Sequence, residues 1–133
     1  MFFLDTNTCI YFLSGRYESV KQKLLATPPK DIAVPAVVKA ELLSGAYKSK
    51  DRSENIKKVE MFLKPFRLVP FDGEACYRYA DMRFRCELNG TPVGPNDLCI
   101  AAIASAHDGI LVTHNIKEFE MIEDLRIEDW VEV

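Results

Sequence analysis

Apolar residues fall along this chain in two spacings. Short apolar runs at positions 2–4, 32–34, 68–69 and 110–112, with a last one between 126 and 131, alternate with longer stretches of helical periodicity. That alternation predicts a parallel sheet with helices on its faces, because parallel strands need crossover connections and these are usually helical. Residues 8–26 read as two helices broken at Gly15, and Pro28-Pro29 predicts an extended connection into the second strand. Pro35 suits the first turn of a helix reaching about residue 47, and Asp51 is a candidate cap for a helix that Pro65 stops. Asp72 is a candidate cap for a helix to about residue 88, followed by an Asn89-Gly90 turn. Pro92-Val93-Gly94-Pro95 then reads as a stiff loop entering the helix that carries Asp97, and Gly109 as the stop of that helix.

The length of 133 residues suits a single domain spanning 1–133, large enough to build a core without disulfides or zinc. Apolar residues at 48% and charged residues at 28% place it among globular chains. The start of the chain has no basic leader and reaches an acid at position 5, so the expectation is a cytoplasmic protein without signal peptide or membrane span. Cys9, Cys76, Cys86 and Cys99 show no C-x-x-C spacing and read as reduced packing residues. A net charge of −3 argues against broad, salt-driven coating of nucleic acid, so such a substrate has to be gripped locally. Lys48, Lys50 and Arg52, then Lys57 and Lys58, then Arg78, Arg83 and Arg85 form the local basic groups, with solvated helix faces as the simplest reading of each.

Candidate chemistry gathers where apolar segments deliver oxygen-bearing side chains. Asp5 closes the first strand and opens Asp5-Thr6-Asn7; Glu41 follows the second strand; Asp97 precedes the apolar run 100–104; Asn115 follows the fourth strand. Three carboxylates and an amide on separate elements that meet at one sheet edge make an oxygen donor set suited to Mg²⁺ or Mn²⁺, which points to phosphodiester hydrolysis. Asp5 and Asp97 each have a competing role as helix-terminal caps, and Glu41 a competing place at the solvated margin of its helix. Thr6, Asn7 and Thr113 are candidates for orienting the carboxylates. His114 and His107 read as a turn residue and a helix-end residue. The absence of G-x-S-x-G and of glycine-rich phosphate loops disfavours serine hydrolases and nucleotide-binding folds.

With those residues in view, the chain resembles the PIN-domain ribonucleases of the VapC toxin type. The resemblance rests on Leu4-Asp5-Thr6-Asn7, Glu41 in the helix after Ile32-Ala33-Val34-Pro35, the run Gly94-Pro95-Asn96-Asp97-Leu98-Cys99-Ile100-Ala101-Ala102, and Leu111-Val112-Thr113-His114-Asn115 with Glu118-Phe119 behind it. It implies a five-stranded parallel sheet sandwiched between helices, with a Mg²⁺-dependent site at one end that also accepts Mn²⁺. Asp5, Glu41 and Asp97 match the three core acids, and Asn115 matches a fourth position that is often Asp; Glu118 and Glu120 are nearby acids placed to compensate. The resemblance further implies an RNA substrate such as initiator tRNA, a homodimer, and a VapB-type antitoxin that blocks the site and carries the operator DNA contact. Two other classes stay open: a general PIN nuclease of nucleic-acid processing, and a catalytically idle fold serving as a dimeric binding partner.

Overall fold

The computed structural model describes residues 1–133 as a central sheet covered by helices. In chain order the elements are β1 (Phe2–Leu4), α1 (Thr6–Ser14), α2 (Glu18–Ala26), β2 (Ile32–Pro35), α3 (Ala36–Lys48), α4 (Arg52–Leu63), β3 (Arg67–Val69), α5 (Gly73–Asn89), α6 (Pro95–Ala106), β4 (Ile110–Val112), α7 (Ile116–Phe119) and β5 (Arg126–Glu128). All the strands pair in parallel, in the order β3-β2-β1-β4-β5. The central strands are apolar on both faces, as a sheet covered on both sides requires: Phe3, Leu4, Ile32, Ala33, Val34, Leu111 and Val112 are buried. α6 supplies the largest helical share of the core, with Leu98 and every residue from Ile100 to Ser105 buried. α5 packs on α6, and α3 on α4. No helix is long and apolar enough to cross a membrane.

The strand order places a topological switch point between β1 and β4, because the chain leaves β1 toward β2 on one side and returns to β4 on the other. In open parallel sheets the crevice outside the carboxyl ends of the strands at such a point is where ligands bind. Asp5 follows β1 directly and Thr113 follows β4 directly, and the Asp5 amide donates to the Val112 carbonyl at 3.1 Å. Both residues are therefore carried to that crevice by the two strands that flank the switch point.

Several sequence expectations need correction. Pro29–Asp31 forms a 3₁₀ turn instead of continuing extended, since a proline's fixed φ also suits the first position of a helical turn. Pro35 is the last residue of β2, paired with Val69, and precedes α3 rather than lying within it. Asp72 caps α5 through Ala75 N, but the Asp51 side chain makes no cap hydrogen bond to α4. The left-handed residue after α6 is Asp108, with φ 50, not Gly109. Gly109 is needed for space: a Cβ there would lie 2.3 Å from the Phe3 ring. The short α7 carried no sequence signal, because a single turn is too short to display helical periodicity. The cysteines are all free, with Cys9 and Cys86 buried and Cys76 exposed.

Candidate active site

The site is built at the carboxyl edge of the sheet from β1, α3, α6 and the segment after β4. Asp5 is buried at 5% exposure. Its Oδ1 accepts the Thr8 amide at 2.9 Å and so caps α1, while the Thr113 hydroxyl also supports the carboxylate. Capping and membership of the crevice are thus compatible in one side chain. Burial first, and with it the nearby charge of Glu41, pushes the Asp5 carboxyl above its ordinary range against those hydrogen bonds.

Glu41 projects from the middle of α3 and is half-buried. The Thr6 hydroxyl donates to its Oε1 at 2.5 Å, and Asn96 Nδ2 approaches Oε2 at 3.4 Å. A residue of the first turn of α1 therefore restrains an acid on α3, a link of 35 positions that only folding creates. Asn7, the third candidate orienting residue, is exposed and makes no side-chain hydrogen bond, unlike Thr6 and Thr113.

Asp97 lies in the first turn of α6 but does not cap it; the cap position belongs to Gly94, with no side-chain bond. Its carboxyl is half-buried and pushed up to about 7, first by burial, then by the charge of Glu118 and a hydrogen bond shared with it, and then by Glu41 and Asp5. Each of these influences opposes ionisation, and no cation of the chain answers them. Asp5, Glu41, Asp97 and Glu118 thus share one electrostatic environment.

Glu118, on α7, is the member the sequence placed least clearly. Its Oε1 accepts the Gly94 amide at 3.2 Å, and its Oε2 accepts from the Asn115 side-chain amide. Asn115 itself is exposed, and its backbone amide donates to Thr113 Oγ1 at 3.0 Å. Its amide nitrogen is committed to Glu118, leaving the amide oxygen as its remaining acceptor. Glu120 is exposed and makes no side-chain hydrogen bond with the cluster. The signal for Glu118 was its place three residues beyond Asn115, which one turn of helix converts into adjacency.

Every donor in the cluster is a carboxylate or amide oxygen, the set suited to a hard divalent cation. The acids as placed do not close three at a time into a ready cage. Glu41 and Glu118 are instead turned toward hydrogen-bond donors of the chain. The raised Asp97 carboxyl supports the fit, since crowded carboxylates are relieved by a cation in their midst.

His114 lies exposed in the turn after β4, and the basic groups lie on solvated helix faces, as expected of them. His114 Nδ1 pairs with Asp129 Oδ2 at 2.9 Å. On α5, Arg78, Arg83 and Arg85 pair with Glu74, Glu87 and Asp81 at i, i+4 spacing, which leaves that helix electrostatically self-satisfied.

The chain matches the PIN domain family over residues 2–124. It is 37% identical to Ribonuclease VapC2 of Rickettsia felis over 131 residues, 98% of each chain. It is 34% identical to the tRNA(fMet)-specific endonuclease VapC of Salmonella typhimurium, over 97% of each chain. Among solved structures, it superposes with a TM-score of 0.90 on a chain of VapBC2 from Rickettsia felis bound to a DNA fragment from their promoter, at 36% identity and covering 97% of this chain and 98% of that one. Superposition on DNA-bound VapBC from Salmonella typhimurium gives a TM-score of 0.91 at 34% identity, covering 97% of each chain.

Proposed function

We propose, from the premise that this chain belongs to the PIN-domain family and within it to the VapC ribonucleases of toxin–antitoxin modules, that it hydrolyses RNA with the carboxylate cluster at the β1/β4 crevice and a divalent cation, Mg²⁺ or Mn²⁺. The observation that carries the reading is the convergence of Asp5, Glu41, Asp97 and Glu118 in one environment that drives the Asp97 carboxyl up to about 7. A chain that keeps so much unrelieved negative charge at a sheet's carboxyl edge gains from a cation there, and a phosphodiester brings its own charge to the same place.

In this reading Asp5, Glu41 and Asp97 would hold the cation, with Asn115 and Glu118 as further oxygen donors from the α7 segment. When bound, the cation would supply an activated water and charge neutralisation for the attacked phosphate. The chain's own residues fix the geometry. Thr113 and Thr8 N hold Asp5, and Thr6 holds Glu41 on the α1 side. The Gly94 amide ties α7 to the loop that opens α6, so Glu118 and Asp97 keep a fixed separation. No side-chain nucleophile is required.

Further specifics belong to the same proposal. The substrate is initiator tRNA, as the name of the Salmonella relative indicates for that protein, so that cleavage halts translation in the cytoplasm. The partner is a VapB-type antitoxin, in keeping with the matched structures being DNA-bound VapBC complexes; in the same reading operator DNA is contacted through that partner and the toxin acts as a homodimer. The test is cleavage of total cellular RNA and of an initiator tRNA transcript by purified protein with Mg²⁺, with Mn²⁺ and with chelator. Metal-dependent cuts that disappear in Asp97→Asn are expected. Cleavage persisting in chelator, or in Asp97→Asn, overturns the assignment.

A further inference from the structure

Beside the acids, on the β4 side of the crevice, a second group of side chains is assembled that the hydrolytic reading does not use. Tyr11 of α1 and Tyr17, which precedes α2, meet edge to face with ring centroids 4.8 Å apart. The His114 ring closes the group, 6.2 Å from Tyr11 and 6.0 Å from Tyr17. Over both tyrosines lies the exposed guanidinium of Arg16, 5.7 Å from the Tyr11 centroid and 5.2 Å from that of Tyr17. Arg16 makes no ion pair, whereas every arginine of α5 does. Asp129 holds the imidazole at Nδ1 and thereby fixes the ring's orientation.

Three features explain why these residues meet. Gly15, at φ 70, ends α1 in the left-handed conformation and turns the chain back, so that Arg16 and Tyr17 fold over Tyr11. His114 lies between Thr113, which supports Asp5, and Asn115, which binds Glu118, so one end of the group is covalently continuous with the acid cluster. Tyr11 stands six positions after Asp5, about 9 Å along a helix rising 1.5 Å per residue. That distance corresponds to about two to three stacked nucleotides at roughly 3.4 Å each.

We infer that Tyr11, Arg16, Tyr17 and His114 form a nucleotide subsite that binds an unpaired base of the RNA, a few nucleotides from the cleaved phosphodiester. The inference rests on the ribonuclease reading and adds to it a grip on the substrate. A chain with net charge −3 cannot hold RNA by diffuse attraction, and an acidic cleavage site repels the phosphates on either side of it. The exposed, unpaired Arg16 guanidinium, backed by the half-buried Tyr11 and Tyr17 rings, supplies what is missing: a plane on which a splayed base stacks and a cation for the adjoining phosphate. Because every base has a π-face, the subsite selects for an unpaired nucleotide rather than for its identity. Cleavage is thereby directed to loops. Asp129 is a positioning residue that acts through His114.

The test uses an RNA stem-loop oligonucleotide carrying the cleavage position mapped in cells, with Mn²⁺ and full-length protein. Arg16→Ala and Tyr17→Ala are expected to raise KM about tenfold each, with kcat changed by less than about twofold, and Tyr17→Phe, which keeps the ring, to restore the KM. An abasic nucleotide is then walked through the loop. At one position it should raise the KM of the wild type by a similar factor and add nothing to the defect of Tyr17→Ala. Arg16 is exposed, so Arg16→Ala reports on the subsite even if Tyr17→Ala disturbs folding. An unchanged KM in folded Arg16→Ala, or abasic and Tyr17→Ala effects that multiply at every position, overturns the inference. So does a loss of antitoxin binding in Arg16→Ala with KM intact, which would assign the surface to the protein partner. Failure of the ribonuclease reading looks different: wild-type protein would then leave every RNA uncut.

Discussion

Removing the charge of Asp97 should stabilise the metal-free protein while destroying its activity. An acid whose pKa is raised on folding holds a proton in the folded chain that the unfolded chain has already released. For Asp97, raised from 3.8 to about 7, folding stability is therefore largest at low pH and falls as pH climbs through that window. Asp5, also raised, adds to the slope in the same direction. The full shift of about three units would be worth about 4 kcal/mol at 1.36 kcal/mol per unit. Asp97 is only half-buried, and solvent screening reduces this to about 1–2 kcal/mol. In a chain of this length that amounts to a fall in Tm of about 4–8 °C between pH 5 and pH 8 in chelator. Asp97→Asn should flatten most of this slope and melt above the wild type at pH 8. Mg²⁺ should raise the wild-type Tm at pH 8 and leave the variant nearly unmoved. Scanning calorimetry over pH, with chelator and with Mg²⁺, reads all of these. A variant that melts below wild type at pH 8 in chelator would mean that the carboxylate is chiefly structural, and the charge-crowding argument would fail.

Thr6→Val keeps shape but removes the hydroxyl on Glu41, so the rate should drop about 10- to 100-fold with the fold intact, measured as RNA cleavage alongside circular dichroism. Asn115→Asp adds a charge beside Glu118 and should tighten Mn²⁺ binding in titration calorimetry, whereas Asn115→Ala should slow cleavage less than Asp97→Ala does; unchanged Mn²⁺ affinity in Asn115→Asp would place Asn115 outside the coordination sphere. Gly109→Ala drives a methyl into the Phe3 ring and should cost about 1–3 kcal/mol, lowering Tm by roughly 4–12 °C while cleavage at low temperature persists.

Much of the architecture was legible because burial imposes a pattern. β1, β2 and β4 are covered on both faces and so appear as unbroken apolar runs. The break at Gly15 was visible because a left-handed residue at a helix end favours glycine. Gly109 misled for the complementary reason: its residue type was informative, but the demand on it comes from Phe3, which is remote in the chain. The Asp51 cap failed because Asp51 adopts φ −101 and ψ 59, outside the extended conformation from which an aspartate reaches back to its helix.

The same division runs through the candidate site. That Asp5, Glu41 and Asp97 sit where apolar elements end or turn inward is a property of one-dimensional order, and the sequence alone determined it, together with the parallel α/β class. The raised pKa of Asp97, the entry of Glu118, the restraint of Glu41 by Thr6 and the pairing of His114 with Asp129 were decided by the tertiary structure. Periodicity records which face of an element is buried. Charge coupling and hydrogen bonding depend on through-space distance and local desolvation, which exist only once the strand order has brought the ends of β1 and β4 together.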